Sequence, residues 1–577
     1  MKSITKIFSV LGVSLALGLS SCVGDLDLLP NDPNQLTANK FAENPSEYLM
    51  QVMMKCYSGM AISGQTGPDG SSDISGLDGG TSQYTRALYM LQEFTTDESK
   101  WIWPDAGVVD LVTNTWGNGN VNIFGTYSRL YVHIAICNDF LRLVNNLGDY
   151  GISPDAQLQA TLEQYKLEAR ALRAMSYYWA LDLFGNASFI DETQPAGTAP
   201  VQYSRRQLYD WLAGELETLV AAFPDTTPIY GRVGKDGVEA LLARLYLNAE
   251  VYTDGQVSAW DKCSQHCANI IARHQGEGFR SQGLVPSYMY LFCGDNHEYM
   301  PGGGGVNEIL WGIPYDSQAI QPYGGTMFLC AAGISNMTWA DNDAIMTASD
   351  YGMSAQWGCM HATEQFADKF TAGDLRWSMW CKEAQGFSKE NTGFSTFTDG
   401  YGVVKFTNLL KGNVTDPSQW NTTDNTKNWS TANGGIYDPV GGSAARAQNF
   451  PDTDLPLLRL ADVYLMYTEA NIMGGAGNAN EALNYVNLVR ARAGLQAWTQ
   501  SDLTADNILD ERCRELYWEL TRRSDLVRHG KFSGSAYNWS WKSNEVNGAP
   551  FAETMDLFPI PQNVIAAQPE FNQNPGY

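Results

Sequence analysis

The sequence has little positive charge. Its 37 lysines and arginines stand against 63 aspartates and glutamates, and the formal net charge is −26. Nucleic acids and anionic lipid surfaces attract proteins through clustered basic residues. This acidic balance therefore argues against a nucleic-acid-binding protein and against direct binding to an anionic membrane surface.

Long apolar runs are also scarce. The N-terminal stretch MKSITKIFSVLGVSLALGLSSC has two lysines before an apolar run that is too short to span a bilayer as a mature helix. This pattern indicates an export signal over residues 1–21. Its ending, Leu-Ser-Ser-Cys22, resembles a bacterial lipobox and predicts acylation of Cys22, the alternative being an ordinary secretory signal with an incidental cysteine. No later stretch is long and apolar enough to cross a membrane, so we expect a soluble body on a lipid tether.

Disulfide pairing is not indicated by the remaining cysteines. Of the ten cysteines, those that follow Cys22 are odd in number and irregularly spaced, which disfavours a disulfide framework. The segment Cys263-x-x-His266-Cys267 resembles part of a metal site, but no second cluster completes a tetrahedron. We therefore favour two packed thiols one helical turn apart.

Aromatic residues, by contrast, are abundant. The chain has 577 residues, of which 44% are apolar and 17% charged, as in globular proteins with two or more subdomains. Aromatic residues make up 12%, and the 17 tryptophans exceed what packing alone usually requires. We expect part of this excess to line a binding surface for an uncharged ligand with apolar faces.

Helical periodicity dominates from about residue 129. Apolar residues at 3.6-residue spacing predict a helix over residues 165–185, and Ser204 is a good N-cap for the next helix. Residues 236–254 and 258–274 form a helix–turn–helix pair of tetratricopeptide-like length. Such hairpins cannot bury their faces alone, so several should stack. Further helices are predicted over residues 456–473, 479–494 and 504–532.

Charges in the last of these segments recur at helical spacing. Glu515, Glu519 and Arg523 follow one another at four-residue spacing, and Asp525 is spaced to meet Arg528. A salt-bridged helix face is the favoured interpretation, and a polyanion site is the alternative.

Residues 285–455 differ from the helical segments. Glycine clusters (PGGGG, PYGG, TANGG and VGG) separate short aromatic runs, and helical periodicity is lost except near residues 361–370. This pattern predicts long loops and a few short strands laid over the scaffold. We therefore divide one compact body into an N-terminal part, residues 22–255, and a C-terminal part, residues 256–577, which carries this loop-rich insert.

Several motifs together resemble the SusD/RagB family of outer-membrane nutrient-binding lipoproteins. They run in the family order over nearly the whole chain, and the ordered set is far more specific than any one motif. The motifs are EARALRA (168–174) with LFG (183–185), PDTDLP (451–456), RLADVY (459–464), VRAR (489–492), ERCRELYWE (511–519), RRSDLVR (522–528) and FPIP (558–561).

The resemblance implies a mainly α fold. About four tetratricopeptide-like helix pairs would form a scaffold, with an irregular, loop-rich ligand-binding face and a few short strands. It also implies a partner, a TonB-dependent outer-membrane barrel (SusC-like) over which such proteins act as a lid. The resemblance is to the starch-binding branch, whose function would be non-catalytic capture of starch or maltooligosaccharide at the exterior of the outer membrane, with no required cofactor.

The stretch SKWIWPD (residues 99–105) places two tryptophans one residue apart. In an extended chain the side chains at i and i+2 point the same way, so Trp101 and Trp103 can form one flat platform, while Pro104 keeps the stretch out of a helix. Sugar rings pack C–H patches on aromatic faces, and their hydroxyls need hydrogen-bond partners. From the residues alone, two core tryptophans are equally consistent.

The starch-binding branch builds a curved arc of aromatic residues that matches the coil of an α-1,4-glucan. Core packing is the alternative for the two downstream members of the arc, and one family asparagine falls on an alanine here. The resemblance carries the arc onto Trp101, Trp103, Tyr323 and Trp357, the polar contact onto Arg86, and the asparagine onto Ala106, with Asp105 as its candidate substitute.

The motif PDTDLP also resembles a calcium site of that branch. The resemblance places carboxylates at Asp452 and Asp454, a backbone carbonyl at Leu455, and a further acid at Asp295, because His297 stands where the acid is expected. Calcium takes about six to eight oxygens, so a site joining two segments suits a structural role. An ordinary capping role for the two motif aspartates is the alternative.

Other functions are compatible with the residues. A glycoside hydrolase needs two carboxylates facing each other across the groove, and Asp97, Glu98 and Asp105 lie near the tryptophans in sequence. Acids beside a sugar site also serve as hydroxyl acceptors, and the resemblance implies no catalysis. A receptor for a different glycan, or for a peptide, is the remaining alternative.

Overall fold

The computed structural model describes residues 41, 43–64, 72–275, 283–334, 348–371, 373–377, 379–380, 400–413 and 447–577. Helices dominate these ranges. They are α1 (Pro45–Ala61), α2 (Tyr84–Gln92), α3 (Val108–Val112), α4 (Val121–Asn145), α5 (Ala156–Phe184), α6 (Arg205–Ala222), α7 (Lys235–Leu247), α8 (Ala249–Tyr252), α9 (Trp260–Arg273), α10 (Gly325–Gly333), α11 (Glu364–Ala367), α12 (Leu460–Gly474), α13 (Ala479–Arg492), α14 (Ala505–Leu516), α15 (Arg522–Arg528) and α16 (Gln562–Ala567).

The strands are short and pair antiparallel. One sheet has the order β1-β5-β7-β6, and two further pairs are β2-β3 and β4-β8. The strands are β1 (Lys100–Trp101), β2 (Ala187–Phe189), β3 (Val201–Tyr203), β4 (Ile309–Ile313), β5 (Met360–Ala362), β6 (Met379–Trp380), β7 (Tyr401–Val403) and β8 (Leu455–Arg459).

Successive long helices pack on one another. Helix α4 packs on α5, α5 on α6, α6 on α7 and α7 on α9, and α9 then packs on α12, which contacts α13 and α14. Small residues allow the close approach: Ala169, Ala171, Ala174 and Ala180 of α5 are fully buried. This arrangement confirms the predicted mainly α, tetratricopeptide-like scaffold. Among the described residues, no helix combines the length and apolar character needed to cross a membrane.

Two predicted helix ends are confirmed. Helix α5 ends at Phe184, and Gly185 follows with a φ of 64°, a left-handed value that favours glycine. Helix α6 begins after Ser204, whose side chain accepts the Gln207 backbone N–H in a capping box.

Other expected boundaries are wrong. Helices α1 to α4 all begin before residue 129, where helix was expected to start. Residues 456–459 were expected to be helical, yet they belong to β8, because they pair with β4. The segment 236–254 is split at Asn248 into α7 and α8. The segment 504–532 is broken between α14 and α15, where Trp518 and Leu520 adopt left-handed φ values of 61° and 63°.

This break changes the predicted ion pairs. Asp525 and Arg528 pair as expected, at 2.7 Å. Glu515 and Glu519 instead both reach Arg459, at 3.0 and 2.6 Å, because the helix on which they would have met Arg523 does not continue. These carboxylates are buried, so the charges form an interior network and not a solvated helix face.

The loop-rich region packs against α2 and β1. Between residues 283 and 455 the described chain forms β4 to β7, α10, α11 and several loops, as the glycine clusters predicted. Strand β5 pairs with β1, with Trp101 opposite Met360, and α10 packs on α2. The boundary between residues 255 and 256 stays a prediction.

Candidate functional site

Arg86 lies at the centre of the site. Its side chain projects from α2, and only 9% of the residue is exposed. The guanidinium carbon lies 4.9 Å from the ring centroid of Phe328, 5.5 Å from that of Trp101 and 5.8 Å from that of Trp357. Aromatic faces attract cations, so these rings stabilise a guanidinium held largely out of water.

The guanidinium has donors that no described residue uses. Arg86 Nε has no hydrogen-bond partner among the described residues, and the side chain joins none of their ion pairs. Burial lowers the pKa of Arg86, while the nearby Cys359, Asp78 and Asp105 oppose that shift. Arg86 is therefore a planar hydrogen-bond donor with no acceptor in the described part of the chain, although it stays charged at neutral pH.

Two half-buried indoles pack together, and one of them, Trp357, lies beside the guanidinium. The ring centroids of Trp103 and Trp357 are 6.3 Å apart, and the ring planes are inclined at 36°. The Trp357 backbone N–H donates to Ala331 O at 2.7 Å, which fixes the Trp357 loop to α10. Ile102 N–H donates to Cys359 O at 2.9 Å, which fixes the Trp103 segment to the same loop. The two rings therefore form a tilted pair on a braced backbone.

The predicted flat platform of Trp101 and Trp103 is wrong. Trp101 is fully buried, and its ring meets that of Trp103 edge-on, at an interplanar angle of 78°. It stacks on Phe328 at 5.7 Å, and its indole N–H donates to Asp105 Oδ2 at 2.9 Å. Strand β1 ends at Trp101, so the side-chain alternation of an extended chain does not continue to Trp103. Trp101 therefore packs behind the half-buried Trp103 ring and does not enlarge its exposed face.

Tyr323 approaches the other side of Arg86. A Cβ built on Gly80 would lie 3.4 Å from Arg86 Nη1 and 3.4 Å from Tyr323 Cβ, so both side chains border this glycine. The half-buried Tyr323 ring lies 5.3 Å from that of Phe450, at 51°. Trp101, Trp357 and Tyr323 therefore lie near the Arg86 guanidinium, and Trp103 contacts the two tryptophans.

Sequence reasoning missed the floor of the site. Phe328 is fully buried in α10 and contacts both Arg86 and Trp101. The signal was available, because Phe328 lies in the same segment PYGGTMFL as Tyr323. No sequence pattern, however, indicated that α10 would pack on α2.

The carboxylates near the tryptophans in sequence are engaged elsewhere. Asp97 is fully buried and holds Arg522 through two oxygens, at 2.7 and 2.8 Å. Burial would raise the pKa of Asp97, but the Arg522 guanidinium holds it below its ordinary value. Glu98 is buried against the backbone N–H of Trp518 at 3.0 Å, and burial raises its pKa to about 7.

Asp105 remains at the margin of the site. Its side chain is half-buried, and one oxygen accepts the Trp101 indole N–H. Ala106, where the family asparagine falls, is exposed, and its backbone carbonyl accepts a hydrogen bond from Asn122 Nδ2 at 2.9 Å. Asp105 is the described acid whose side chain touches an aromatic residue of the arc.

The residues expected to bind calcium accept hydrogen bonds from other parts of the chain. Asp454 is fully buried, and both carboxylate oxygens are already occupied by hydrogen bonds. Oδ2 accepts from the Tyr230 hydroxyl at 2.6 Å, and Oδ1 accepts from the Tyr315 backbone N–H at 2.9 Å. Its backbone is held by the Asn296 side chain at 2.8 and 2.9 Å.

The other three predicted ligands are similarly occupied. Asp452 Oδ1 accepts the backbone N–H of Ser317, and Asp295 Oδ1 accepts that of Lys411, both at 2.9 Å, while Leu455 pairs with β4. Among the described residues, no group of three or more His, Cys, Asp or Glu side chains could hold a metal ion. The geometry favours the alternative of aspartates that accept hydrogen bonds and join segments.

The cysteines are packed thiols, as the sequence indicated. Cys263 and Cys267 are fully buried in α9, while His266 lies 2.9 Å from Glu239 and completes no metal set. All cysteines of the described ranges are free and buried. Cys22 and Cys381 lie outside the described residues.

Comparisons with known proteins agree with this architecture. Residues 335–577 match the model of the SusD family. The whole chain is 29% identical to the starch-binding protein SusD of Bacteroides thetaiotaomicron, covering 99% of that protein.

Solved structures share the fold. A SusD superfamily protein from Parabacteroides distasonis is 19% identical, with a TM-score of 0.63 over 94% of this chain and all of that chain. Surface glycan-binding protein A from Bacteroides thetaiotaomicron, solved with laminarihexaose, is 20% identical, with a TM-score of 0.61 over 92% of this chain and 99% of that chain. Family model, full-length similarity and fold agree in relating this chain to the SusD/RagB family.

Proposed function

We propose that this protein is a non-catalytic glycan receptor that captures starch or maltooligosaccharide at the cell surface. The observation that carries the proposal is the tilted pair of half-buried indoles, Trp103 and Trp357, beside a guanidinium with unused donors. An aromatic face takes the C–H side of a sugar ring, and the guanidinium donates to its hydroxyls.

The tilt supports a curved ligand. Two faces inclined at 36° cannot both lie flat on a straight ribbon of sugar rings, but successive rings of a coiled chain change direction in the same way. An α-1,4-glucan has such a coil. The full-length similarity to a protein named for starch binding supports the same ligand class.

The engaged carboxylates support binding without hydrolysis. A glycosidase needs two carboxyl groups that face the scissile bond. Asp97 is committed to Arg522, and Glu98 is buried against the backbone of Trp518. Of Asp97, Glu98 and Asp105, only Asp105 remains near the tryptophans. A single carboxylate cannot act both as the general acid and as the nucleophile or base that glycoside hydrolysis requires.

Lipid attachment and transfer to a transporter complete the proposal. The lipobox ending at Cys22 would anchor the protein in the outer membrane, facing the exterior, and the similarity to the SusD/RagB family supports a TonB-dependent barrel as the partner that receives the glycan. Such a receptor must release its ligand inward, so we expect a dissociation constant between about 1 μM and 1 mM for one oligosaccharide. Repeated contacts along a polymer raise the effective affinity.

A titration panel tests the ligand. Isothermal titration of the purified protein with maltoheptaose, pullulan, laminarihexaose, levan and a mixture of oligopeptides should give heat of binding for the first two. Binding to laminarihexaose, levan or peptides alone would replace the α-glucan with another ligand class. Sustained release of reducing ends from soluble starch, lost on Asp105→Asn, would overturn the non-catalytic assignment.

Membrane fractionation tests the anchor. The Cys22→Ala variant should move from the membrane to the soluble fraction of cells, with the Cys56→Ala variant, a buried thiol elsewhere, as the matched control. Cross-linking in intact cells should then capture a TonB-dependent barrel with the wild-type protein. Unchanged membrane association of Cys22→Ala would refute the lipid anchor.

A further inference from the structure

A single buried side chain joins the two arms of the site, by which we mean α2, which carries Arg86, and the segment of Tyr323 that leads into α10. Gln83 is fully buried at the start of α2, the helix that carries Arg86. It lies beside the first residues of α10, which directly follow Tyr323. It also meets the end of α1 through backbone carbonyls.

The Gln83 side-chain oxygen caps two helices at once. Oε1 accepts the backbone N–H of Thr85 at 2.9 Å and that of Arg86 at 3.0 Å, as an N-cap of α2. The same oxygen accepts the backbone N–H of Gly325, the first residue of α10, at 3.1 Å. The first N–H groups of a helix have no partner within it, so one oxygen supplies what both helices need.

The side-chain nitrogen of Gln83 binds the end of α1, on the side of Gln83 away from the two capped helices. Nε2 donates to Met60 O at 2.9 Å and to Ala61 O at 3.1 Å, at the end of α1, and to the Tyr315 hydroxyl at 3.3 Å. Only a carboxamide presents an acceptor to N–H groups on one side and two donors to carbonyls on the other. A glutamate here would place negative charge against the two carbonyl oxygens.

Two glycines allow the close approach. A Cβ built on Gly324 would lie 2.4 Å from Gln83 Oε1, and one built on Gly325 would lie 2.3 Å from the Tyr315 hydroxyl oxygen. A larger residue at Gly324 would push the segment away from Gln83, and one at Gly325 would press against Tyr315. Both glycines directly follow Tyr323, so the position of Tyr323 depends on this contact.

We propose that Gln83 is a positioning residue of the glycan site, which sets the distance between the Tyr323 arm and the Arg86 helix. The proposal rests on the glycan-binding function inferred above. Hydrogen bonds weaken steeply with misalignment, and a ligand that spans both arms gains affinity when their spacing is set before it binds. The buried carboxamide provides that spacing without touching the ligand.

Hydrogen exchange tests the double cap without any ligand. In Gln83→Ala, amide exchange measured by mass spectrometry should speed up together in peptides covering residues 84–92 and 325–333. The matched control is Asn478→Ala, which removes an exposed N-cap that serves α13 alone, and it should speed up exchange only there. Faster exchange in just one of the two Gln83-capped helices would refute the double cap.

Binding tests the positioning role. Gln83→Ala and Gly324→Ala should each weaken maltoheptaose binding about tenfold or more, measured below their melting temperatures. The second variant removes no hydrogen-bonding group and keeps an allowed backbone, with φ of −99° and ψ of −157°. Gly117→Ala, where an added Cβ meets nothing within 4 Å, should bind as the wild type does.

A double-mutant cycle separates positioning from general destabilisation. In the Tyr323→Ala background, where the arm has lost its ring, Gln83→Ala should weaken binding by less than about twofold. An equal loss in both backgrounds, or unchanged affinity in Gln83→Ala, would overturn the proposal. If the wild-type protein binds no glucan, the proposed function fails, while the exchange experiment still decides the role of Gln83.

Discussion

Arg86 and Arg459 are both almost fully buried, and both lie over aromatic rings, yet their surroundings are opposite. Arg459 is surrounded by carboxylates: Glu308 at 2.9 Å, Glu515 at 3.0 Å and Glu519 at 2.6 Å. Arg86 has ring faces around it and donors that no described residue accepts.

This difference separates a structural charge from a recognition charge. Every donor nitrogen of Arg459 finds an acceptor in the interior, so the residue joins β8 to α14 and to the residues after it. Arg86 has lost water without gaining an acceptor among the described residues, and cation–π contact and the nearby Asp78 and Asp105 offset part of that cost. An acceptor supplied by a ligand therefore contributes more at Arg86 than anywhere in the satisfied network.

The largest expected effect is at Arg459. Arg459→Met removes the cation that three buried glutamates share, and although Arg492 and Lys405 still pair with them, the loss should lower the free energy of unfolding by on the order of 3–5 kcal/mol or prevent folding. Urea unfolding followed by circular dichroism measures it. Arg206→Met, which breaks the exposed pair with Asp210, is the control and should change stability by less than about 1 kcal/mol. Equal effects in the two variants would abolish the contrast.

The tryptophans should likewise divide into one structural residue, Trp101, and two recognition residues, Trp103 and Trp357. Trp101→Ala removes a fully buried ring and should lower the free energy of unfolding by about 3–5 kcal/mol. Trp103→Ala and Trp357→Ala remove half-buried rings, so they should destabilise less while abolishing glucan retardation in affinity gels. A stability loss at Trp103 or Trp357 as large as at Trp101 would show that these rings are core residues.

Arg86 itself should show a loss of binding without a loss of stability. Arg86→Met keeps the packing volume and removes an unpaired buried charge, so thermal stability should be unchanged or higher. Maltoheptaose affinity should fall by about 1.5–3 kcal/mol, measured by titration calorimetry. Arg86→Lys keeps the charge but lacks the planar guanidinium, so its affinity for maltoheptaose should lie between those of the wild type and Arg86→Met. Destabilisation by Arg86→Met similar to that of Arg459→Met would contradict a recognition role.

Calcium should have the smallest effect. The Asp454 oxygens already accept from Tyr230 and Tyr315, as the Arg459 donors already have acceptors. We therefore expect the melting temperature to be the same with added calcium and with a chelator, when the two scans are run in parallel. A calcium-dependent rise that Asp454→Asn removes would restore the metal site suggested by the motif.

Helices with both periodicity and end signals could be predicted from the sequence. Helix α5 has an apolar stripe and Gly185, and α6 has Ser204, so local residues settled their limits. The strand over 455–459 could not be predicted, because its apolar residues fit a helix equally well and pairing with β4 decided the outcome. The break after Leu516 depends on the left-handed φ values of Trp518 and Leu520, which no local sequence pattern predicts.

The site was predictable in residue type and not in arrangement. The motif resemblance indicated Arg86, Trp103, Tyr323 and Trp357, which gather in the fold. It also indicated Trp101, whose ring turned out to be buried and edge-on to its neighbour. The second cap that Gln83 provides could not be predicted from the sequence, because Gly325 at the start of α10 lies 242 residues away.

By itself, the sequence determined the helical segments, the loop-rich region and the kinds of side chain available for recognition, because periodicity, capping and composition act over neighbouring residues. The tertiary structure alone decided which arginine would keep its donors free and which would lose them to glutamates. That choice depends on the partners that distant segments bring within hydrogen-bonding distance, and each partner adds an interaction that the local chain does not contain.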